Sequence, residues 1–428
     1  MPRAREIIDD IVFAAEMVAR AAAERLRTGV LYNPRRADLR SDPYPLYRRL
    51  RERDPVHRSY PAGGWVLTRH DDILAVLSDR RASSDERNWS RYAREMGRLT
   101  RAGLPDPYDT GIVSMLRRDP PDHTRLRTLV SKAFTPRAVE RLRPRIVATV
   151  EALLDALPRR GAFELMATFA SPLPVAIIAE MLGVSVADRT RFRHWSAEIS
   201  RLLGDGSRDD RRRAWAAVEE MAAWLTVEVT ERRRQPRQDL LSELVAAEEA
   251  GDRLDQKELL GTCALLLIAG NETTTNLVGN AVIALLRNPD QLALLRREPA
   301  RMPAAIEELL RFDSPVQLTS RLVVEERALH GRRLRRGQQL VLVLGAGNRD
   351  PARFADPECL DLRRPDPRPL SFGHGLHYCL GAQLARLEAQ IALDRLLVRY
   401  PDLRFGGGAI VWSDNTVLRG PRVLPLAG

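Results

Sequence analysis

Lysine is almost missing from these 428 residues: of 68 basic side chains, all but Lys132 and Lys257 are arginine. Against 57 acidic residues they leave a formal charge of +11. The arginines are spread along the whole length rather than gathered on one element beside a recognition motif, so no nucleic-acid partner is expected. The surplus reads as solvated faces, with room for an acidic protein partner. Cysteine is scarce too. Cys263, Cys359 and Cys379 are too few and too far apart for a disulfide framework, no CxxC occurs, and a cytoplasmic, reducing setting is expected. Aromatic residues make up only 5%, yet the apolar share of 44% suffices for a sizeable core and excludes a disordered chain. No GxGxxG opens a helix after a strand, so the chain shows no flavin or nicotinamide site of its own.

One long stretch lacks charge. From Leu259 to Leu286 the only charged side chain is Glu272, and a helix of that length would exceed a bilayer core at about 1.5 Å per residue. Its middle reads Asn271, Glu272, Thr273, Thr274, Thr275, Asn276, where a lipid-facing helix tolerates polarity least. The stretch is therefore read as a buried helix crossing a large core, with no membrane span. Residues 1–35 have the spacing of an amphipathic extension, and residues 36–428 are read as one domain, mainly α with small β-sheets. Helical spacing marks Pro136 to Leu157 and Asp290 to Leu310, and strands are expected at Gly63 to Thr68 and Gln338 to Gly345. The Arg-rich segments Ser83 to Asp109 and Gly204 to Gln238 read as mobile loops or exposed helix ends.

The chemistry concentrates in Ser371 to Arg386, SFGHGLHYCLGAQLAR. Gly373 and Gly375 permit a tight turn, and Leu380 to Arg399 has the spacing of a helix. Cys379 then stands at a helix amino terminus, where free N–H groups and the dipole favour a thiolate. Three readings compete for it: an inert buried thiol, a zinc site shared with His374 and His377, or the axial ligand of a heme iron. An inert thiol leaves the glycines unexplained, and zinc lacks a fourth ligand nearby.

Phe372, Gly375, Cys379 and Gly381 match FxxGxxxCxG, and on this pattern the chain resembles the cytochrome P450 family of soluble bacterial heme proteins. The likeness runs from about Asp42 to the carboxyl terminus. AGNETT at Ala269 to Thr274 is similar to the family's central-helix motif, ELLR at Glu308 to Arg311 to its ExxR, and DPPDHTRLR at Asp119 to Arg127 to its C helix. The resemblance implies a cytochrome P450 fold with heme b between the central helix and the cysteine-loop helix, and Cys379 as the iron's thiolate ligand. It implies that Phe372, Ala269 and Gly381 surround the cofactor and that His123, Arg127, Arg321 and His377 bind its propionates. Glu308, Arg311 and Arg364 become a buried structural cluster. Thr273 and Glu272 become the alcohol and acid that deliver protons to oxygen, Thr273 bonding back to the Ala269 carbonyl. Asn271 is expected to adjust a water chain or meet substrate, and Leu265, Ala269, Val316, Leu318, Asn415 and Thr416 to line the substrate pocket with the regions Ser83 to Asp109 and Arg191 to Gly206.

The implied activity is a monooxygenase that takes O2 and inserts one oxygen atom into an apolar small molecule such as a steroid, terpenoid, fatty acid or macrolide, in secondary metabolism. Electrons are expected from a ferredoxin and ferredoxin reductase, with NAD(P)H acting only through them and the enzyme itself a monomer. Arg118, Arg125 and Lys132 are the expected docking cations. Two alternatives of the same fold are a peroxide-driven peroxygenase and a non-enzymatic heme-binding sensor. Neither calls for the pair Glu272 and Thr273.

Overall fold

The structure, a computed structural model, describes residues 18–101, 103, 114–203, 208–249 and 255–428. Its axis is the central helix Gln256–Arg287. A capping box starts it, with Asp255 accepting from the Glu258 amide, and Asn288 followed by Pro289 ends it. Most of the helix is buried, and Pro172–Met181, Arg189–Ile199, Met302–Phe312 and the cysteine helix Ala382–Arg399 pack on it. Among the described residues no helix is long and apolar enough to cross a membrane.

A five-stranded sheet lies to one side, in the order Val56–Ser59, Gly64–Leu67, Gln339–Leu342, Thr319–Val323, Ala82–Ser83. Gly64–Leu67 runs parallel to Gln339–Leu342, and Arg321 pairs across to Leu340 in the antiparallel neighbour. That register fixes the height at which the Arg321 side chain leaves the sheet.

Three sequence expectations are corrected. The span Pro136 to Leu157 is two helices, Pro136–Arg141 and Arg143–Asp155, because Pro144 restarts the helix after Leu142. Asp290 to Leu310 is likewise split into Pro289–Arg297 and Met302–Phe312, with Pro299 and Pro303 at the break. Most of Gly204 to Gln238, read as loop or exposed helix end, is one 27-residue helix, Arg208–Arg234. Ala214, Val218, Met221, Leu225 and Val229 recur every three or four positions and are buried with Trp215 and Trp224. At roughly 1.5–3 kcal/mol per buried large apolar side chain, that stripe outweighs the charged outer face. In the other segment, Tyr92–Arg101 is a helix, while residues 102 and 104–109 lie outside the described part.

Of the amino-terminal extension, residues 18–28 are a described helix and residues 1–17 lie outside the described part. The visible turns invert the expected face: Val18 and Leu26 are exposed, and the buried side chain is Glu24. It accepts from the Tyr32 and Tyr60 amides at 3.0 and 2.9 Å and bonds His57 Nε2 at 2.8 Å, while Asp54 takes His57 Nδ1 at 3.0 Å. Satisfying a buried carboxylate decides the orientation, since leaving it unpaired costs more than exposing two apolar side chains.

Glu388, inside the cysteine helix, is buried with Oε2 unpartnered, and desolvation pushes its carboxyl up to about 8. A raised acid stabilises the fold fully below its unfolded value near 4.5, and the contribution is lost as pH climbs towards 8. The upper bound for a shift of that size is roughly 4–5 kcal/mol. Glu388→Gln is therefore expected to flatten the fall in Tm between about pH 5 and pH 8.5, read by thermal scans; an unaltered slope would place the pH sensitivity in another group.

Candidate active site

The cysteine loop is shaped by two glycines in the left-handed region, Gly373 and Gly375, both at φ +69°. A Cβ on Gly375 would collide with the Leu77 carbonyl, so the loop lies against the end of helix His70–Ser78 only because that position is bare. The Cys379 amide donates to the Phe372 carbonyl at 2.9 Å, closing the turn. Helix Ala382–Arg399 starts just beyond, with Gly381 as its cap. Burial raises the Cys379 thiol above its ordinary value, although the Gly381 N–H, Arg127 and Arg386 oppose the rise. A metal ion at the sulfur reverses that balance. Among the described residues no group of three or more His, Cys, Asp and Glu side chains has metal-holding geometry, which leaves the zinc reading without ligands.

His123, on helix Asp122–Ser131, and His377 bring their rings to 4.2 Å. Arg127, one turn on from His123, donates through Nη2 to the Tyr378 carbonyl at 2.7 Å, and Arg321 reaches in from the sheet. The four feel one another. Burial, then Arg321, His123 and Arg127, push His377 down to about 3; burial and the two arginines lower His123. Burial alone brings Arg321 down to about 10. His123 is 2% exposed, and neither of its ring nitrogens has a partner. Asp119 acts against this positive cluster, but its carboxylate is engaged by Ser83 and the Ser84 amide. So much unanswered positive character in a buried place suits a ligand with two carboxylates.

Across from the loop, Ala269 is the one exposed residue between Leu259 and Leu286. A Cβ built on Gly270, or on Gly381 in the cysteine loop, would meet no atom within 4 Å. Open space beside small residues, a sulfur and a cationic rim together fit a flat heme with two propionates. Thr273 donates to the Ala269 carbonyl at 2.6 Å, the back-bond expected from the sequence. Burial pushes Glu272 up to about 7; Ser200 and Arg201 hold it lower, Asp414 raises it, and its Oε2 has no partner.

Asn271 departs from expectation. Its amide is bonded to buried protein partners: Nδ2 donates to Ser196 Oγ at 2.6 Å and Oδ1 accepts from Thr275 at 3.3 Å, all three side chains being buried. Glu308 and Arg311 pair as the sequence implied, at 2.7 and 2.8 Å, and Arg364 Nε joins Glu308 at 3.0 Å. Arg311 also donates to the carbonyls of Asn348, Pro357 and Cys359, which ties down the segment leading to the cysteine loop.

The expected pocket residues divide. Leu265 lies one turn before Ala269 and is half-buried. Val316 bridges Leu418, Leu318 packs against the cluster that holds Tyr32 and Tyr44, and Asn415 and Thr416 line a narrow cleft with Tyr32, Tyr47 and Gln317. Asn415 Oδ1 is spent on the Val417 and Leu418 amides of its own turn. In the Arg191 to Gly206 region, residues 204–206 lie outside the described part. Ser196, Ser200 and Arg201 fall inside the region Arg191 to Gly206 expected to line the pocket, but the sequence singled out none of them.

Comparisons agree with this geometry. The family described as "Cytochrome P450" matches residues 98–403. The polyketide biosynthesis cytochrome P450 PksS of Bacillus subtilis is 37% identical, over 93% of this chain and 98% of that protein. The cytochrome P450 monooxygenase PikC of Streptomyces venezuelae is 42% identical over 91% and 92%. The vitamin D(3) 25-hydroxylase of Pseudonocardia autotrophica is 41% identical over 90% and 93%. The solved structure of PksS from B. subtilis superposes with a TM-score of 0.84, covering 93% of this chain and 99% of that one. Likeness in sequence and likeness in fold thus each extend over most of the chain, and the chain belongs to the cytochrome P450 family.

Proposed function

We propose that the chain is a monooxygenase that draws electrons from a separate ferredoxin and ferredoxin reductase and oxidises an apolar polyketide of secondary metabolism. Membership of the family brings heme b on a cysteine thiolate, O2 as co-substrate, and NAD(P)H acting through redox partners. The polyketide class is supported by the name of the relative PksS. The observation that carries the oxygenase reading is Glu272, a carboxyl raised to about 7 and set one position before Thr273, just beyond the exposed Ala269 of the central helix.

The heme, when bound, supplies activation of dioxygen through its iron. Cys379 would supply the thiolate, and Arg127 and Arg321, with the neutral His123 and His377 rings beside them, would hold the propionates. Near neutral pH Glu272 exists in both protonation states, so its carboxyl can hold a proton and be refilled. The Thr273 hydroxyl keeps its hydrogen on the Ala269 carbonyl and turns its lone pairs outward, ready to accept the next one. On the cysteine side, Arg125 is committed to Glu258, at 3.0 Å for one of two bonds, and Arg118 lies 3.9 Å from Asp122. Of the three expected docking cations, Lys132 is the exposed one outside these ion pairs.

Thr273→Ala tests the reading. The variant is expected to bind heme and ligand unchanged, while product per NADPH on the best compound from a polyketide panel drops about ten- to ten-thousand-fold. The missing electrons should appear as hydrogen peroxide, and added peroxide should restore part of the product. An unchanged ratio of product to NADPH would confine the hydroxyl to satisfying its own helix.

A further inference from the structure

Helix Met302–Phe312 carries two adjacent carboxylates with separate partners. Glu308 holds Arg311 and Arg364, as described above. Glu307 instead reaches the cysteine helix Ala382–Arg399, where it accepts from Arg386 at two points, Nε on Oε1 and Nη2 on Oε2, the second at 3.0 Å. The fork leaves Nη1 for the Tyr378 hydroxyl, to which it donates at 3.2 Å. The same guanidinium lies over the Phe372 ring, 4.4 Å from its centre, and Tyr378 meets that ring edge-on with centres 6.5 Å apart.

Phe372 and Tyr378 decide where Cys379 stands. The Phe372 carbonyl accepts from the Cys379 amide at 2.9 Å, and Tyr378 is the residue before the cysteine. Tyr378 is also gripped at its carbonyl, by Arg127 at 2.7 Å. Between these two residues the turn passes through Gly373 and Gly375, which give it little stiffness of its own. Its shape has to be imposed from outside, and Arg386 touches both ends of it at once. The Arg386 and Glu307 side chains remain 18% and 24% exposed, so as an ion pair they add little to global stability. What they supply is a fixed point against which the turn is held.

We propose that Arg386, anchored by Glu307, is a positioning residue for the heme ligand: it clamps Phe372 and Tyr378 and thereby holds Cys379 where its sulfur binds the iron. The proposal rests on the reading of Cys379 as that ligand. Side chains that orient a metal ligand without touching the metal are typically worth about 10–100-fold in affinity or activity. Arginine suits the task because its planar fork can hold a carboxylate along one edge and still offer an N–H elsewhere, which the single ammonium of lysine cannot do with the same geometry.

The test uses the heme-loaded enzyme without substrate and follows the rate at which the long-wavelength Soret band of its reduced carbon monoxide complex decays. Arg386→Gln and Glu307→Gln are each expected to speed the decay about 10–100-fold, and the double variant no further than the faster single, because the pair acts as one unit. Tyr378→Phe, which removes one hydrogen bond, should speed it about two- to tenfold. Arg386→Lys keeps the charge without the fork and should fall between wild type and Arg386→Gln. The iron–sulfur stretching band in the resonance Raman spectrum should move to lower frequency in the order of these rates. Urea midpoints should stay close to that of Arg395→Gln, a control on the same helix whose arginine pairs with Glu151. Wild-type decay in Arg386→Gln and Tyr378→Phe, or a full return of the rate in Arg386→Lys, would overturn the positioning role. So would a fall in urea midpoint with the stretching band unmoved. Should Cys379→His keep the long-wavelength band, the ligand reading would fall and the proposal with it. Should Cys379→His lose the band while every Arg386 variant decays like wild type, only the positioning would fall.

Discussion

Cys379→His is expected to abolish the long-wavelength Soret band of the reduced carbon monoxide complex, with turnover falling to background. That band requires thiolate on the iron, and imidazole cannot supply the same electron density. The other two cysteines make the comparison sharp. Cys263 is buried in the central helix beside an apolar cavity lined by Phe192, Met221 and Trp224, and its thiol is pushed up to about 12. Cys359 is exposed, and the carbonyl of that residue is bound by Arg311 and Arg364. Cys263→Ala and Cys359→Ala should therefore keep the band in a carbon monoxide difference spectrum. A band that survived in Cys379→His would remove this residue from the iron.

Glu308→Gln should unfold most of the protein or strip it of heme, although the side chain changes by a single atom. Glu308 is 1% exposed and balances Arg311 at 0% and the nearly buried Arg364. Replacing it leaves two guanidinium groups in a low-dielectric interior with one neutral amide between them. Breaking a buried pair in this way costs about 3–5 kcal/mol, a large part of the 5–15 kcal/mol that typically holds a domain together. Arg125→Gln, at the more exposed Arg125–Glu258 pair, should cost only about 0–1 kcal/mol. Urea midpoints and heme-to-protein ratios measure both. If Glu308→Gln unfolded within about 1 kcal/mol of wild type, the cluster would not be holding the segment before the cysteine loop.

Features written in adjacent residues were legible in the sequence. The central helix could be read from its uncharged length, the cysteine loop from its glycines, and the Thr273 back-bond from a four-residue spacing. Strands Gly64–Leu67 and Gln339–Leu342 fell inside the expected runs, though their parallel pairing did not follow from either run alone. Helix Arg208–Arg234 escaped notice because its buried stripe is diluted by arginine and glutamate on the outer face. Asn271 was misplaced for another reason. A polar residue beside Glu272 looks functional in one dimension, and only the arrival of Ser196, 75 residues earlier in the chain, shows that its amide is already spent. Glu24 with His57 belongs to the same class: partners 33 residues apart carry no mark of each other.

The distances along the chain between partners also govern when the site can exist at all. Arg419 binds the Arg40 and Ser41 carbonyls, and the Gly64–Leu67 strand pairs with one that begins at Gln339. The proposed grip on heme draws on His123, Arg321 and Cys379 together, residues spread from the first third of the chain to its last third. During synthesis, at about 5–20 residues per second, helices of the middle third can pack on one another well before Cys379 has been made. The sheet and the cysteine loop must wait for nearly the whole chain, and closing contacts of such long sequence separation is the slow part of folding. Heme capture is thereby made a late event in the life of the chain, and the nascent form that awaits it is largely helical, with its cofactor cleft still open on the side of the missing sheet.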